Sequence, residues 1–224
     1  MQFTKAHGAG NDFIIVDDRT EAGRDWPALA RRMCERHFGV GADGLILIRD
    51  LEGPGYRMIM YNPDGSRAQM CGNGIRCLAR ILFEPGDIAG EQVRIVTDGG
   101  DRWIQIVDDS PDSFLVTVGM GVPEFAPSRV PVNLPGEAVI DHHFEIDGTA
   151  FDLTAVSMGN PHAVAFVDSV EAVDLPRIGP LVEHHPAFPE RVNFEICEIL
   201  APGRLRMRVW ERGAGITLAC GSGA

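Results

Sequence analysis

The sequence predicts an α/β protein of the α+β type, built as two pseudo-symmetric domains. Each is expected to be a mixed, mostly antiparallel sheet wrapped around a central helix. Three observations carry this expectation. The chain overlays on itself, without gaps, at a constant offset of 149 residues. Each copy reads as strand, helix, strands and then a glycine-flanked cysteine. Apolar runs such as Arg57-Met58-Ile59-Met60-Tyr61 and Phe114-Leu115-Val116-Thr117-Val118 are short and separated by turn residues, which favours hairpins and mixed pairing over strict βαβ winding.

The repeat rests on anchors that share one register. Gly10-Asn11 meets Gly159-Asn160, and each precedes an apolar run ending in aspartate, Phe13 to Asp17 and Ala163 to Asp168. Asp25-Trp26-Pro27 meets Asp174-Leu175-Pro176, two helix starts with an aspartate N-cap and proline in the first turn. Arg57 to Tyr61 meets Arg206 to Trp210, extended in both copies. Cys71-Gly72-Asn73-Gly74 meets Cys220-Gly221-Ser222-Gly223.

Within the first copy the patterns predict a helix over Trp26 to His37 and strands over Leu45 to Arg49 and Tyr56 to Tyr61. A second helix follows over Gly74 to Phe83, then strands over Gln92 to Thr97, Arg102 to Val107 and Ser113 to Val118. Residues 1–118 form one expected unit, carrying Cys71, and 119–224 the other, carrying Cys220. By the same offset the second unit would continue past Ala224 with a helix and strands matching Ile75 to about Gly119. Without that helix its sheet is expected to expose an apolar face.

Composition narrows the function. Of 224 residues, 45% are hydrophobic and 23% charged, enough apolar material for one large or two small cores. The net charge of −12, with no basic run, argues against nucleic acid or an anionic membrane as partner. No stretch approaches the roughly 18 apolar residues of a membrane helix, and the N-terminus lacks a signal-like apolar core, so a cytoplasmic protein is expected. Five cysteines, an odd number, fit a reducing compartment. None is spaced as a zinc motif, so no metal is expected.

The chemistry concentrates at the Cys-Gly-x-Gly pair. Each cysteine stands where a loop is expected to open a helix, so backbone N–H groups and the helix dipole favour an anion there, a thiolate or a bound carboxylate. Both effects are expected to bring the thiol's pKa below its free value, making it a usable base. Related by the repeat, the two sulfurs would face one shared cleft, where one thiolate and one thiol suffice to invert a stereocentre. Taken singly, a glycine-flanked cysteine is a small hydrophobe at a tight turn; the repetition favours function. Cys34, Cys77 and Cys197 have no repeat partner and read as structural.

Asn11, Asn62, Asn160 and Asn193 can donate to a carboxylate or accept from an ammonium, although each is also an ordinary turn former. Arg212 offers a fork for a carboxylate. His162 and Glu211 could adjust thiol protonation.

At this point the chain resembles the diaminopimelate epimerases. Lys5 to Phe13 (KAHGAGNDF), Met70 to Cys77 (MCGNGIRC), Gly159 to Val164 (GNPHAV), Val192 to Glu195 (VNFE) and Glu211 to Ala224 (ERGAGITLACGSGA) carry the likeness. It implies conversion of LL- to meso-diaminopimelate without pyridoxal phosphate or any other cofactor or metal, for lysine and peptidoglycan precursor synthesis. It implies Cys71 and Cys220 as the catalytic pair, with His162 and Glu211 tuning them. Asn11, Asn62, Gly72, Asn73, Asn160, Asn193, Glu211, Arg212, Gly221 and Ser222 would bind the small-molecule substrate. A homodimer is implied by the likeness alone. One departure is Gly44, where some members carry glutamine.

Two other readings stay open. Proline and hydroxyproline racemases resemble this architecture and also use two cysteines, but typically carry histidine where this chain has Asn73. A dithiol redox or ligand-binding protein, with Cys71 and Cys220 as a switchable disulfide, is the other.

Overall fold

Alternation of buried and exposed side chains sorts the strands into two sheets, one in each half of the chain. The computed structural model describes residues 1–19, 23–88, 92–110 and 113–224, and divides into two units, Met1–Gly121 and Val122–Ala224. In the first unit, β1 (Thr4–Gly8), β2 (Asn11–Asp17), β3 (Gly44–Asp50), β4 (Tyr56–Tyr61), β5 (Arg67–Ala68), β6 (Val93–Thr97), β7 (Gly100–Asp108) and β8 (Leu115–Gly119) form one sheet. Its order is β1-β2-β3-β4-β6-β7-β8, with β5 paired to β4. The pairs β2–β3 and β4–β6 are parallel and the rest antiparallel.

Strands β2 and β3 are buried on both faces, which is why they read as unbroken apolar runs. Phe13, Ile15, Ile46 and Ile48 pack with helix α2 (Gly72–Phe83), whereas Ile14, Val16, Leu45 and Leu47 pack with α1 (Trp26–Cys34). Along α2, Ile75, Leu78, Ala79 and Leu82 repeat at the spacing of one helix face, and all are buried. Each large apolar side chain so buried contributes about 1.5–3 kcal/mol.

Asp25 caps α1 by accepting from the Ala28 N–H at 3.0 Å. The helix stops at Cys34, three residues before the expected end at His37. Glu35 turns extended, and the amides of Val40, Gly41 and Ala42 fold back onto the carbonyls of Met33 and Cys34. Gly39 permits this because a Cβ there would strike the carbonyls of Arg32, Glu35 and Met33. Helix α2, conversely, begins two residues early, with Cys71 itself as N-cap.

In the second unit, β9 (His142–Ile146), β10 (Thr149–Ser157), β11 (Pro161–Phe166), β12 (Asn193–Ala201), β13 (Arg204–Glu211) and β14 (Gly215–Thr217) form a sheet in the order β14-β13-β12-β11-β10-β9. Only the β11–β12 pair is parallel. The duplication is visible residue by residue. Phe13 pairs with Gly44 and Leu45 with Tyr61, just as His162 pairs with Asn193 and Phe194 with Trp210. Helix α3 (Leu175–Glu183) repeats α1 at the same offset.

Differences between the copies have local causes. Asp174 does not cap α3 through its side chain as expected; its carboxylate lies 3.6 Å from the Arg177 guanidinium instead. Where the first unit packs Ala30 and Tyr61, the second has Gly179 and Trp210, and a Cβ on Gly179 would come within 2.5 Å of the indole. The indole Nε1 donates to Glu183 at 2.7 Å. One face of this sheet packs with α3 through Ala163, Ala165, Phe194 and Ile196. The other carries Phe166, Ile199 and Leu205, each more than half exposed. No described helix is long and apolar enough to cross a membrane.

Two predictions follow from this packing. Burial pushes the thiols of Cys34, Cys77 and Cys197 up to about 11 from an ordinary value of 9.0. The unfolded chain therefore ionises these thiols first, so their contribution to stability is complete below about pH 9 and is lost as pH rises toward 11. Urea midpoints should fall through that window, and a flat profile would contradict it. Separately, Gly179→Ala should cost about 1–3 kcal/mol by overpacking. Combining it with Trp210→Tyr, which restores the first unit's pairing, should recover part of the loss in thermal melts; a strictly additive double variant would refute that packing account.

Candidate active site

The two Cys-Gly-x-Gly segments stand on equivalent places of their sheets but on chemically different floors. In the first unit Cys71 is 7% exposed, and its sulfur accepts a hydrogen bond from the Gly74 N–H at 3.3 Å. The floor is apolar. A Cβ on Gly74 would lie 2.6 Å from Ile46 Cδ1, so the glycine lets the loop settle onto Ile46 without displacing that side chain. The amide and the positive end of α2 both favour a thiolate at this sulfur.

Asparagines lie in the same unit. Asn11 is buried, and its Oδ1 has no hydrogen-bond partner. A buried acceptor left in this way costs about 1–3 kcal/mol, which a donor on a bound molecule would recover. Asn62 Nδ2 donates to Ser66 Oγ at 3.0 Å. Asn73 Oδ1 accepts from Arg76 at 2.7 Å, while Gly72 opens the helix and is buried. Gly44 is the first residue of β3. A Cβ there would meet Met60 Cε at 2.9 Å and the Tyr61 carbonyl at 3.1 Å, so a longer side chain requires Met60 and the strand to give way.

In the second unit the floor is polar. His162 and Glu195 occupy the places held by Phe13 and Ile46 in the first, and both are fully buried. His162 Nδ1 contacts Glu195 Oε1 at 2.7 Å, and Nε2 contacts Asn160 Oδ1 at 3.0 Å. Both ring nitrogens face side-chain oxygens. Asn160 Nδ2 donates to Ser222 Oγ at 3.2 Å, and that hydroxyl lies 3.5 Å from the Cys220 sulfur. A chain of contacts thus runs from Glu195 through His162, Asn160 and Ser222 to Cys220. Gly223 rests directly over the Glu195 carboxylate, the counterpart of Gly74 over Ile46.

The expectation of a lowered pKa fails at Cys220. Its thiol is pushed well above the ordinary value, first by burial and then by the carboxylates of Glu211 and Glu195. The residues after Cys220 form a turn over 221–223. Burial and the carboxylates both favour the neutral thiol at Cys220.

The remaining predicted residues of this unit fall into two groups. Glu211 accepts from Thr217 Oγ1 and acts on Cys220 through its charge. Asn193 is occupied with backbone: Nδ2 donates to the Pro161 carbonyl at 2.7 Å and Oδ1 accepts from the Arg212 N–H at 2.9 Å. The Arg212 guanidinium donates to the Glu190 carbonyl at 3.0 Å. Gly221 is exposed. Sequence reasoning missed Glu195 as a site residue. A signal existed: it is a glutamate inside a strand whose equivalent in the first copy is Ile46, and a buried carboxylate needs a partner.

Similarities to known proteins agree with this construction. The chain resembles, in structure, a hydroxyproline epimerase from Agrobacterium vitis with a TM-score of 0.73 and 16% identity, over 99% of this chain and 72% of that one. A phenazine biosynthesis protein from Bacillus anthracis gives a TM-score of 0.64 at 18% identity, over 99% and 77%. These likenesses concern the fold. In sequence, relatives called diaminopimelate epimerase are much nearer. That of Pelotomaculum thermopropionicum is 48% identical across the whole of this chain and 81% of its own length. That of Synechococcus elongatus is 49% identical across the whole of this chain and 80% of its own. The diaminopimelate epimerase family model matches residues 3–126 and 154–224. On these grounds the chain belongs to the diaminopimelate epimerase family.

Proposed function

We propose that this protein interconverts LL- and meso-diaminopimelate with Cys71 and Cys220 as acid and base and no cofactor. The carrying observation is the repeated Cys-Gly-x-Gly loop with two unlike floors, in a chain nearly half identical to diaminopimelate epimerases. One thiolate takes the α-proton, the C–H electron pair remains on the α-carbon, and the other thiol delivers a proton to the opposite face. Each turnover leaves the thiolate and the thiol exchanged, so no group is consumed. The resting assignment follows from the floors: Cys71, with an amide donating to its sulfur, is the base, and Cys220, held neutral beside carboxylates, is the acid.

In this reading His162 and Glu211 set the protonation of Cys220. Asn11, Asn62, Gly72, Asn73, Asn160, Asn193, Glu211, Arg212, Gly221 and Ser222 bind the amino acid. The free Asn11 Oδ1 suits an ammonium. The family likeness further supports a homodimer in the cytoplasm.

Incubating reduced protein with LL-diaminopimelate in deuterated water should exchange the α-hydrogen, read by NMR, and L-proline should not exchange. Cys71→Ala or Cys220→Ala should reduce exchange by about 10²- to 10⁴-fold. Exchange with proline alone, or none with either, would sink the proposal. The resting assignment has its own test. In a Cys71→Ala background, alkylation of Cys220 followed by peptide mass should be slow at pH 7 and accelerate only above the ordinary thiol value of 9.0. Glu211→Gln removes a like charge, so the profile should move to lower pH; an unmoved profile counts against Glu211 as a tuning group.

A further inference from the structure

Glu195 is the least explained group in the second unit. Its Oε1 meets His162, but Oε2 is buried and has no partner. An unsatisfied carboxylate oxygen with no exposure calls for a cation or a donor. The nearest chemistry supplies the context: one ligand atom each from Cys220, His162 and Glu195 lies within 4.8 Å of the others, and all three residues are buried. A thiol sulfur, an imidazole nitrogen and a carboxylate oxygen form the mixed donor set that zinc accepts.

We propose that Cys220, His162 and Glu195 form a site for a thiophilic divalent cation of the zinc type, which silences the enzyme by holding the Cys220 sulfur. Zinc bonds of about 2.0–2.3 Å place tetrahedral ligands roughly 3.5 Å apart, so the 2.7 Å His162–Glu195 contact must open and any separation near 4.8 Å must close. The turn over 221–223, with Gly221 exposed, is the segment that would have to move. The neighbours suit a metal ligand. His162 would coordinate through Nδ1 while its Nε2–H stays on Asn160 Oδ1, and Asn160 is itself tied to Ser222, the outer support that ligating histidines require. Binding displaces two protons, one from the Cys220 sulfur and one from the His162–Glu195 contact. Cys220 then has no proton to deliver. Three protein ligands leave a fourth position for water. Because His162, Glu195 and Cys220 lie on β11, β12 and the C-terminal turn, no short sequence spacing reveals the site.

Cobalt(II) is the probe, since thiolate coordination gives it a near-ultraviolet charge-transfer band whether or not the protein is an epimerase. Titrating the reduced full chain without oxygen should produce the band at one equivalent. Cys71→Ala should retain it, and Cys220→Ala and Cys220→Ser should lose it. Glu195→Gln and His162→Gln should weaken binding at least about tenfold. Zinc should displace the cobalt and inhibit exchange, and a chelator should restore it. No band, or a band that survives both Cys220 substitutions, overturns the site. Loss of the epimerase reading in the deuterium assay would leave the cobalt result standing.

Discussion

The parallel pairing of β2 with β3, repeated as β11 with β12, is the constraint on which the rest depends. It fixes which side chains stand beneath each cysteine loop. A register slip of one residue would turn every inward side chain to the other face. With register held, the duplicated loop finds Phe13 and Ile46 in one copy and His162 and Glu195 in the other. Neither floor tolerates exchange lightly. An isolated carboxylate beneath Cys71 would sit unpaired against α2, and an isoleucine beneath Cys220 would leave His162 without its partner.

That difference gives two otherwise similar thiols unlike surroundings, on which the proposed division of labour rests. Acid–base inversion needs one proton shared over two sulfurs, and a symmetric pair would have no preferred resting form. Here an amide and a helix terminus act on Cys71, whereas burial and two carboxylates act on Cys220. In the proposed exchange, the electrostatics of each unit decide which sulfur rests protonated.

Much of this was legible from residues alone, and the failures have physical reasons. The repeat located both cysteine loops, strands in each copy and the starts of α1 and α3, because glycine, proline and apolar periodicity act locally, whereas which strands pair in parallel emerged from the structure. The end of α1 escaped because the chain's return onto Met33 and Cys34 depends on Gly39 clearing three carbonyls, which periodicity does not register. The pKa of Cys220 escaped because its neighbours come from β12 and β13, and no local rule carries a charge across strands. Glu195 escaped for the same reason: its meaning lies in the partner that β11 presents, not in the strand that holds it.

Comparing the copies turns such misses into a method. Where duplicated units keep an apolar residue at one position and a charged one at its equivalent, burial is already known from the apolar copy. Ile46 is fully buried, so a glutamate at the equivalent of Ile46 is buried too unless the sheet differs. A buried carboxylate must then find a proton, a cation or a donor. The equivalent of Phe13, two residues from a shared Gly-Asn turn, is a histidine whose ring nitrogen meets that carboxylate. The pair at the base of Cys220 is therefore deducible from the internal repeat, and under the proposed mechanism it stands where the acid would be held protonated.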